Sequence, residues 1–235
     1  MFAVVGLAMA TTLSLSLLTA CDDDDDDDDL TETVDDDDDT TDDSSSKITG
    51  IINGYGYVDL GLSVKWATVN IGATLPADYG SYYAWGETTI KDEYNDYNSV
   101  TYGESIENFA GDATYDAATA NWGSSWRMPT SSEFRELLAD CTWTWTTREN
   151  YYGMEINGYL VEGTNGNSIF LPAAGYRAGS SLHQGIGTSG RYWSSSPNST
   201  ESCRYACGLY SDSDRHNMDS YIYRNYGMSV RPVSD

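Results

Sequence analysis

Trp126-Arg127-Met128-Pro129-Thr130-Ser131-Ser132-Glu133-Phe134 is the most informative stretch of the chain. Thr130 and Glu133 have the spacing of a capping box: the Thr130 hydroxyl can accept from the Glu133 amide, and the Glu133 side chain can reach back to the Thr130 amide. Phe134, Leu137, Leu138 and Cys141 follow at i, i+3, i+4 and i+7, so one apolar stripe is predicted on a helix that begins after Thr130. Just upstream, Asp116 to Trp122 reads as a second, shorter helix. Around these two segments the signals change. Thr142 to Thr146 alternates, with Trp143 and Trp145 on one face of a strand. Glu155–Val161 and Ser168–Leu171 read as paired strands joined by a turn around Asn165-Gly166. Tyr57–Leu62, Ser63–Val69, Arg191–Ser195, Arg204–Tyr210, Tyr221–Tyr223 and Ser229–Val233 are further short strands, Tyr82–Trp85 is another apolar run, and residues 86–112 are polar enough for a long loop. With 19 Tyr, 7 Trp and 22 Gly against 5 Pro, composition favours short strands and turns. Two helices among many strands predict an α+β domain.

The chain has 235 residues and a formal net charge of −25, and the charge is unevenly placed. Residues 22–43 hold 16 of the 37 carboxylates, in Asp22–Asp29, Glu32, Asp35–Asp39, Asp42 and Asp43. Such a run repels itself and has too little apolar surface to offset the entropy of ordering. From Tyr55 onward 21 acidic and 11 basic residues remain, with no basic stripe, which argues against nucleic acid as a partner. The expected division is therefore 1–20 leader, 21–50 tether and 51–235 domain. The last is long enough for one ordinary hydrophobic core.

Residues 2–20 carry no charge and lead into Leu18-Thr19-Ala20-Cys21, which resembles the lipobox of bacterial lipoproteins. The resemblance implies cleavage before Cys21 and acylation of its thiol, and two or more acyl chains anchor stably. A basic n-region is missing, which predicts a start upstream of Met1. The acidic run directly after Cys21 is similar to an export signal of surface lipoproteins. It implies an outer-membrane lipid anchor with the domain displayed at the cell surface.

Six segments in order resemble the major paralogous (FISUMP-type) domain of bacterial surface lipoproteins. They begin at Tyr57, Tyr82, Trp126, Ile169, Tyr192 and Ser229, and are spelled YVDLGLSVKWAT, YYAWGET, WRMPTSSEF, IFLPAAGYR, YWSS and SVRPV. The Arg127–Glu133 segment is also similar to one in formylglycine-generating enzymes. Both families imply a C-type-lectin-like fold with two helices and a twisted antiparallel sheet. Relatives often carry a Cys where this chain has Val69, which implies a disulfide to Cys141 that cannot form here and leaves Cys141 as a small hydrophobe. Trp66, Trp85, Trp122, Trp126 and Trp193 are expected as core aromatics, and Arg127 with Glu133 as an internal pair.

The segment Asn198–Tyr226 differs from the rest. Of its 29 residues 20 are Ser, Tyr, Asn, Asp, Arg or His, and none is Lys, Gln or Trp. Tyr supplies rigid amphipathic contact area and Ser and Asn adaptable hydrogen bonds, the chemistry of antibody paratopes. Tyr205, Tyr210, Arg215, His216, Tyr221, Tyr223 and Arg224 are the candidate contacts for a protein or glycan ligand, and strand alternation is expected to turn about half of them inward. The opposing reading is an ordinary polar, Tyr-rich sheet face. The resemblance also implies a target of diversity-generating retroelements, with Asp212–Tyr226 variable before a fixed Gly227–Val233.

Rival readings have less support. A copper oxidase like the formylglycine-generating enzymes would use Cys203 and Cys207, yet their spacing differs from that family's pair. Across one extended strand the two would stand about 13 Å apart, too far for a disulfide unless a turn intervenes. A calcium lectin would need Asp212, Asp214 and Asp219 to converge, and its Glu-Pro-Asn and Trp-Asn-Asp signatures are missing. A structural coat or adhesion module without a specific pocket is the third reading. No catalysis, metal or cofactor is expected.

Overall fold

The computed structural model describes residues 48–198 and 203–235. The leader, Cys21 and nearly all of the acidic tether lie outside the described residues.

Both predicted helices form. α1 (Ala117–Trp122) is started by Asp116, whose carboxylate accepts from the Ala118 and Thr119 amides. The same carboxylate accepts from the Met128 amide at 2.9 Å and ties the helix start to the Trp126 segment. α2 (Ser131–Asp140) opens with the full capping box and buries Phe134 and Leu137. Arg127 donates both terminal nitrogens to the Glu133 carboxylate, at 2.9 and 2.6 Å, so the cap is itself held from behind. Burial pushes the Glu133 carboxyl up, but the bonds from Arg127 and Thr130 outweigh it and hold it below the usual carboxylate range.

The rest is strand and loop. β1 (Gly50–Ile52), β2 (Tyr55–Val58) and β3 (Lys65–Ala67) form a sheet that β12 (Val233–Ser234) closes by pairing with β3. β4 (Thr142–Glu149), β5 (Glu155–Glu162) and β6 (Ser168–Pro172) form an antiparallel sheet. Trp143 and Trp145 share one face of β4, and both meet Tyr159 of β5 edge-on, at 5.4 and 5.0 Å between centroids. A third sheet has the order β11-β10-β9-β7-β8, from β7 (Ala174–Ala178), β8 (Ser181–Ile186), β9 (Ser189–Pro197), β10 (Tyr205–Asp212) and β11 (His216–Tyr223). Residues 86–112 form neither helix nor strand, as expected.

The interior is aromatic. Trp66, Trp85, Trp126 and Trp193 are fully buried. At about 25 cal/mol per Å² and roughly 200 Å² per ring, each contributes about 5 kcal/mol before entropy is counted. Trp85, Trp126, Trp193 and Met228 belong to one cluster. Phe134, Leu137, Tyr192 and Leu209 belong to another, between α2 and the five-stranded sheet. Buried Arg231 crosses between elements: it donates to Asn70 Oδ1 and to the Ala67, Thr68 and Phe170 carbonyls, and burial pushes its guanidinium down to about 10.

The α+β, C-type-lectin-like architecture is overturned by this content. The protein is mostly β, with several sheets, and its two helices span only 6 and 10 residues. The capping signals are local and correct, but they mark short elements; they say nothing of how much sheet surrounds them. Cys141 packs against the cluster of Phe134 and Leu137 as a small hydrophobe, though it is not fully enclosed. It is half-buried at the end of α2, and burial raises its thiol to about 11.

Candidate functional site

β10 and β11 pair antiparallel, with Tyr205 opposite Tyr223 and Tyr210 opposite Asn217. Tyr205 and Tyr210 are five residues apart and would face opposite ways on a regular strand. A register shift between Ala206 and Gly208 resets the alternation. As a result both tyrosines lie beside the odd-numbered residues of β11: Asn217, Asp219, Tyr221 and Tyr223.

On that face ring contacts form one continuous run. The Tyr205 hydroxyl bonds the Tyr223 hydroxyl at 3.2 Å, and their rings lie 4.8 Å apart. Tyr205 also meets Tyr221 at 5.9 Å. Tyr223 meets Tyr102 of the long loop at 6.4 Å and Tyr226 at 5.5 Å. Tyr226 meets Tyr176 of β7 at 5.1 Å. The guanidinium of Arg191, on β9, is then sandwiched, 4.8 Å from the Tyr176 ring and 4.7 Å from the Tyr210 ring. Arg215 covers Tyr210 at 4.9 Å, and Arg204 stands 5.9 Å from Tyr102. Seven tyrosines and three arginines are thereby linked. A guanidinium over an aromatic face is attracted by the ring quadrupole, which holds flexible arginines in place.

At the Arg215 end the face is concave. A small cavity of about 170 Å³ is lined by Arg191, Tyr210, Arg215, Asn217 and Asp219. Asp219 in its lining, and Asp212 bonded to the lining residues Tyr210 and Arg215, are already engaged. The Tyr210 hydroxyl donates to Asp212 Oδ2 at 2.6 Å, and Arg215 Nε lies 3.3 Å from the same oxygen. These bonds, Tyr210's the strongest, hold the Asp212 carboxyl below its usual range. Asp219 faces Arg191 at 3.8 Å. The two carboxylates therefore serve arginines on opposite sides of the cavity instead of converging on an ion.

The seven predicted contacts divide clearly. Tyr205, Tyr210, Arg215, Tyr221 and Tyr223 belong to the strip, with Tyr221 64% and Tyr223 37% exposed. His216 is turned to the opposite face, stacked on Trp143 at 4.7 Å, and burial lowers its imidazole pKa. Arg224 is buried. It lies 4.1 Å over Trp85 and donates to the Tyr205, Thr101 and Glu104 carbonyls, so it fastens the long loop to β10 and cannot meet a ligand. Reasoning on composition missed Tyr102, Tyr176, Arg191, Arg204 and Tyr226. Tyr226 and Arg204 lie inside the unusual segment; the others reach the strip only through pairing of distant strands and the long loop.

Among the described residues the cysteines take no part in this surface. Cys141, Cys203 and Cys207 are all free thiols, and the buried Cys207 donates its S–H to the Pro197 carbonyl at 3.3 Å.

A family model described as a domain of unknown function (DUF8237) matches residues 161–233. The match reaches from the end of β5 to β12 and includes every member of the strip except Tyr102. No curated protein and no solved structure matches the chain.

Proposed function

We propose that this chain is a lipid-anchored surface protein that binds a protein or glycan ligand through the tyrosine–arginine strip, and that it performs no chemistry of its own. The linked run of seven tyrosines and three arginines carries the reading. Aromatic and arginine side chains dominate binding energy at interfaces, and rings locked by their neighbours lose little entropy when a ligand arrives. Exposed tyrosines in the middle, an arginine-lined hollow at one end and hydroxyls throughout suit a ligand that is extended and partly polar. The anchor is supported by Leu18-Thr19-Ala20-Cys21 and the acidic run behind it.

Two experiments test the two halves. Radiolabelled palmitate should label the chain in cells and fail to label Cys21→Ala, and protease added to intact cells should remove the domain. Absence of label, or full protection, contradicts the anchor or the display. Separately, the full chain in detergent should retain a ligand from arrays of glycans and cell-surface proteins. Retention that Tyr221→Ala/Tyr223→Ala leaves intact would assign the ligand elsewhere.

A further inference from the structure

A second surface exposes aromatic rings without any folding reason for doing so. The turn after β4 presents Tyr151, Tyr152 and Met154 at 63%, 77% and 53% exposure. Exposed turns are normally polar, and ordered apolar groups in water mark contact sites when they cluster. This turn is firmly built. Asn150 Oδ1 accepts from the Tyr152 and Met154 amides, both at 3.0 Å, and the Asn150 amide donates to the Met154 carbonyl at 2.9 Å. Gly153 supplies the left-handed residue, with φ of 72°.

The turn faces the 72–80 loop across a groove of about 530 Å³, within the size range of small-molecule sites. Asp78 fixes its width. One carboxylate oxygen accepts from the Tyr151 amide at 3.0 Å, and the other accepts from the Thr74 and Leu75 amides at 3.0 and 2.7 Å. The groove is thus preformed, and ordering it costs a ligand nothing further.

Its chemistry is specific. The lining contains no Lys or Arg, so nothing there counters the charge of an anion. Asp78, the one charged residue, spends its oxygens on three backbone amides. The rest of the lining is neutral, with Thr74, Tyr79, Asn150, Tyr151 and Tyr152 as its polar members. The Tyr151 and Tyr152 rings stand nearly perpendicular, at 88°, with centroids 5.4 Å apart, and make a corner. A pyranose has flat C–H faces that pack on a ring and a rim of hydroxyls that pair with such neutral groups. We propose that this groove binds a neutral oligosaccharide, with a sugar ring packed against Tyr152 in the corner it forms with Tyr151.

The test is affinity electrophoresis of the full chain in native detergent gels containing starch, xylan, mannan, galactan or β-glucan, with polygalacturonate as a charged control. At least one neutral polymer should slow the chain. Tyr152→Ala should weaken that retardation tenfold or more, while Tyr152→Phe keeps most of it. Because Tyr152 is exposed, the unfolding midpoint should not move, which separates lost binding from lost fold. Ile51→Ala, an exposed apolar position in neither the groove nor the strip, should retard like the parent chain. The inference is overturned if no neutral polymer retards the chain, if only polygalacturonate does, or if Tyr152→Ala and Tyr151→Ala both retard like the parent.

Discussion

Tyrosines of the interior and tyrosines of the strip solve the same problem differently. Tyr82, Tyr94 and Tyr192 are buried, and each donates its hydroxyl to a backbone carbonyl, of Ala174, Tyr82 and Pro172, at 2.6 Å. Burial raises all three above the ordinary phenol value. On the strip the hydroxyls pair with side chains instead, as Tyr205 does with Tyr223 and Tyr210 with Asp212. The arginines divide the same way. Arg224 and Arg231 are locked to carbonyls, Arg224 while it also covers buried Trp85, whereas Arg191, Arg204 and Arg215 lie against tyrosine rings of the strip. Residue type does not separate scaffold from surface in this molecule; the partner of the polar end does. A group tied to the backbone has no capacity left for a ligand. A group tied to a neighbouring side chain can exchange it.

That contrast can be broken by substitution. The largest effect is expected at Arg231→Met, which leaves the Asn70 side chain and three buried carbonyls without their donor. It should cost about 4 kcal/mol in urea unfolding. The same change at Arg215, 67% exposed along its side chain, should cost less than about 0.5 kcal/mol. Next comes the hydroxyl pair. Tyr192→Phe should lose about 1–2 kcal/mol, because the Pro172 carbonyl is left buried and unpaired, while Tyr221→Phe should lose nothing measurable.

The cap of α2 sharpens the picture at smaller scale. Thr130→Ala should cost about 1 kcal/mol. Glu133 has a folded pKa held below its unfolded value, so its contribution is complete above the unfolded pKa and is lost as pH falls through the folded one. Urea midpoints should therefore decline on acidification below about pH 4.3, the unfolded value, and Glu133→Gln should flatten that part of the profile. His216 gives the smallest effect. Burial depresses its folded pKa, so the unfolded chain binds its proton first and stability falls as pH drops below about 6.5. His216→Gln should remove that slope, although it sits beside strip residues in sequence.

Most local signals are legible, and non-local ones are not. Thr130 and Glu133 announce α2 because both halves of the cap lie within four residues. The β4 tryptophans alternate visibly because one face of that strand meets Tyr159. By contrast β7 and β8 pass unread, although they form a hairpin with each other across Gly179-Ser180: Gly175 and Gly185 interrupt the alternation that would mark them as strands. Without those strands the two short helices outweigh the sheet signals, and the sequence reads as α+β although the protein is mostly β. Ser229–Val233 reads as a strand, yet only Val233 and Ser234 pair as one, because the backbone from Gly227 to Val230 makes single contacts to several elements. For the site, composition located the correct segment but could not orient it. It grouped Arg224 with Arg215, although Trp85 and the long loop bury the first and solvent surrounds the second. Arg191 carried no signal at all, since the two tyrosines that sandwich it come from different strands.

The most direct measurement compares ligand retention and unfolding midpoint for the parent chain, Tyr221→Ala/Tyr223→Ala and Tyr192→Phe. The double variant on the strip should lose at least tenfold in affinity for the ligand of the strip at an unchanged midpoint, and Tyr192→Phe should lose stability while it still binds. Full binding by the double variant would contradict the assignment of the strip as the recognition surface.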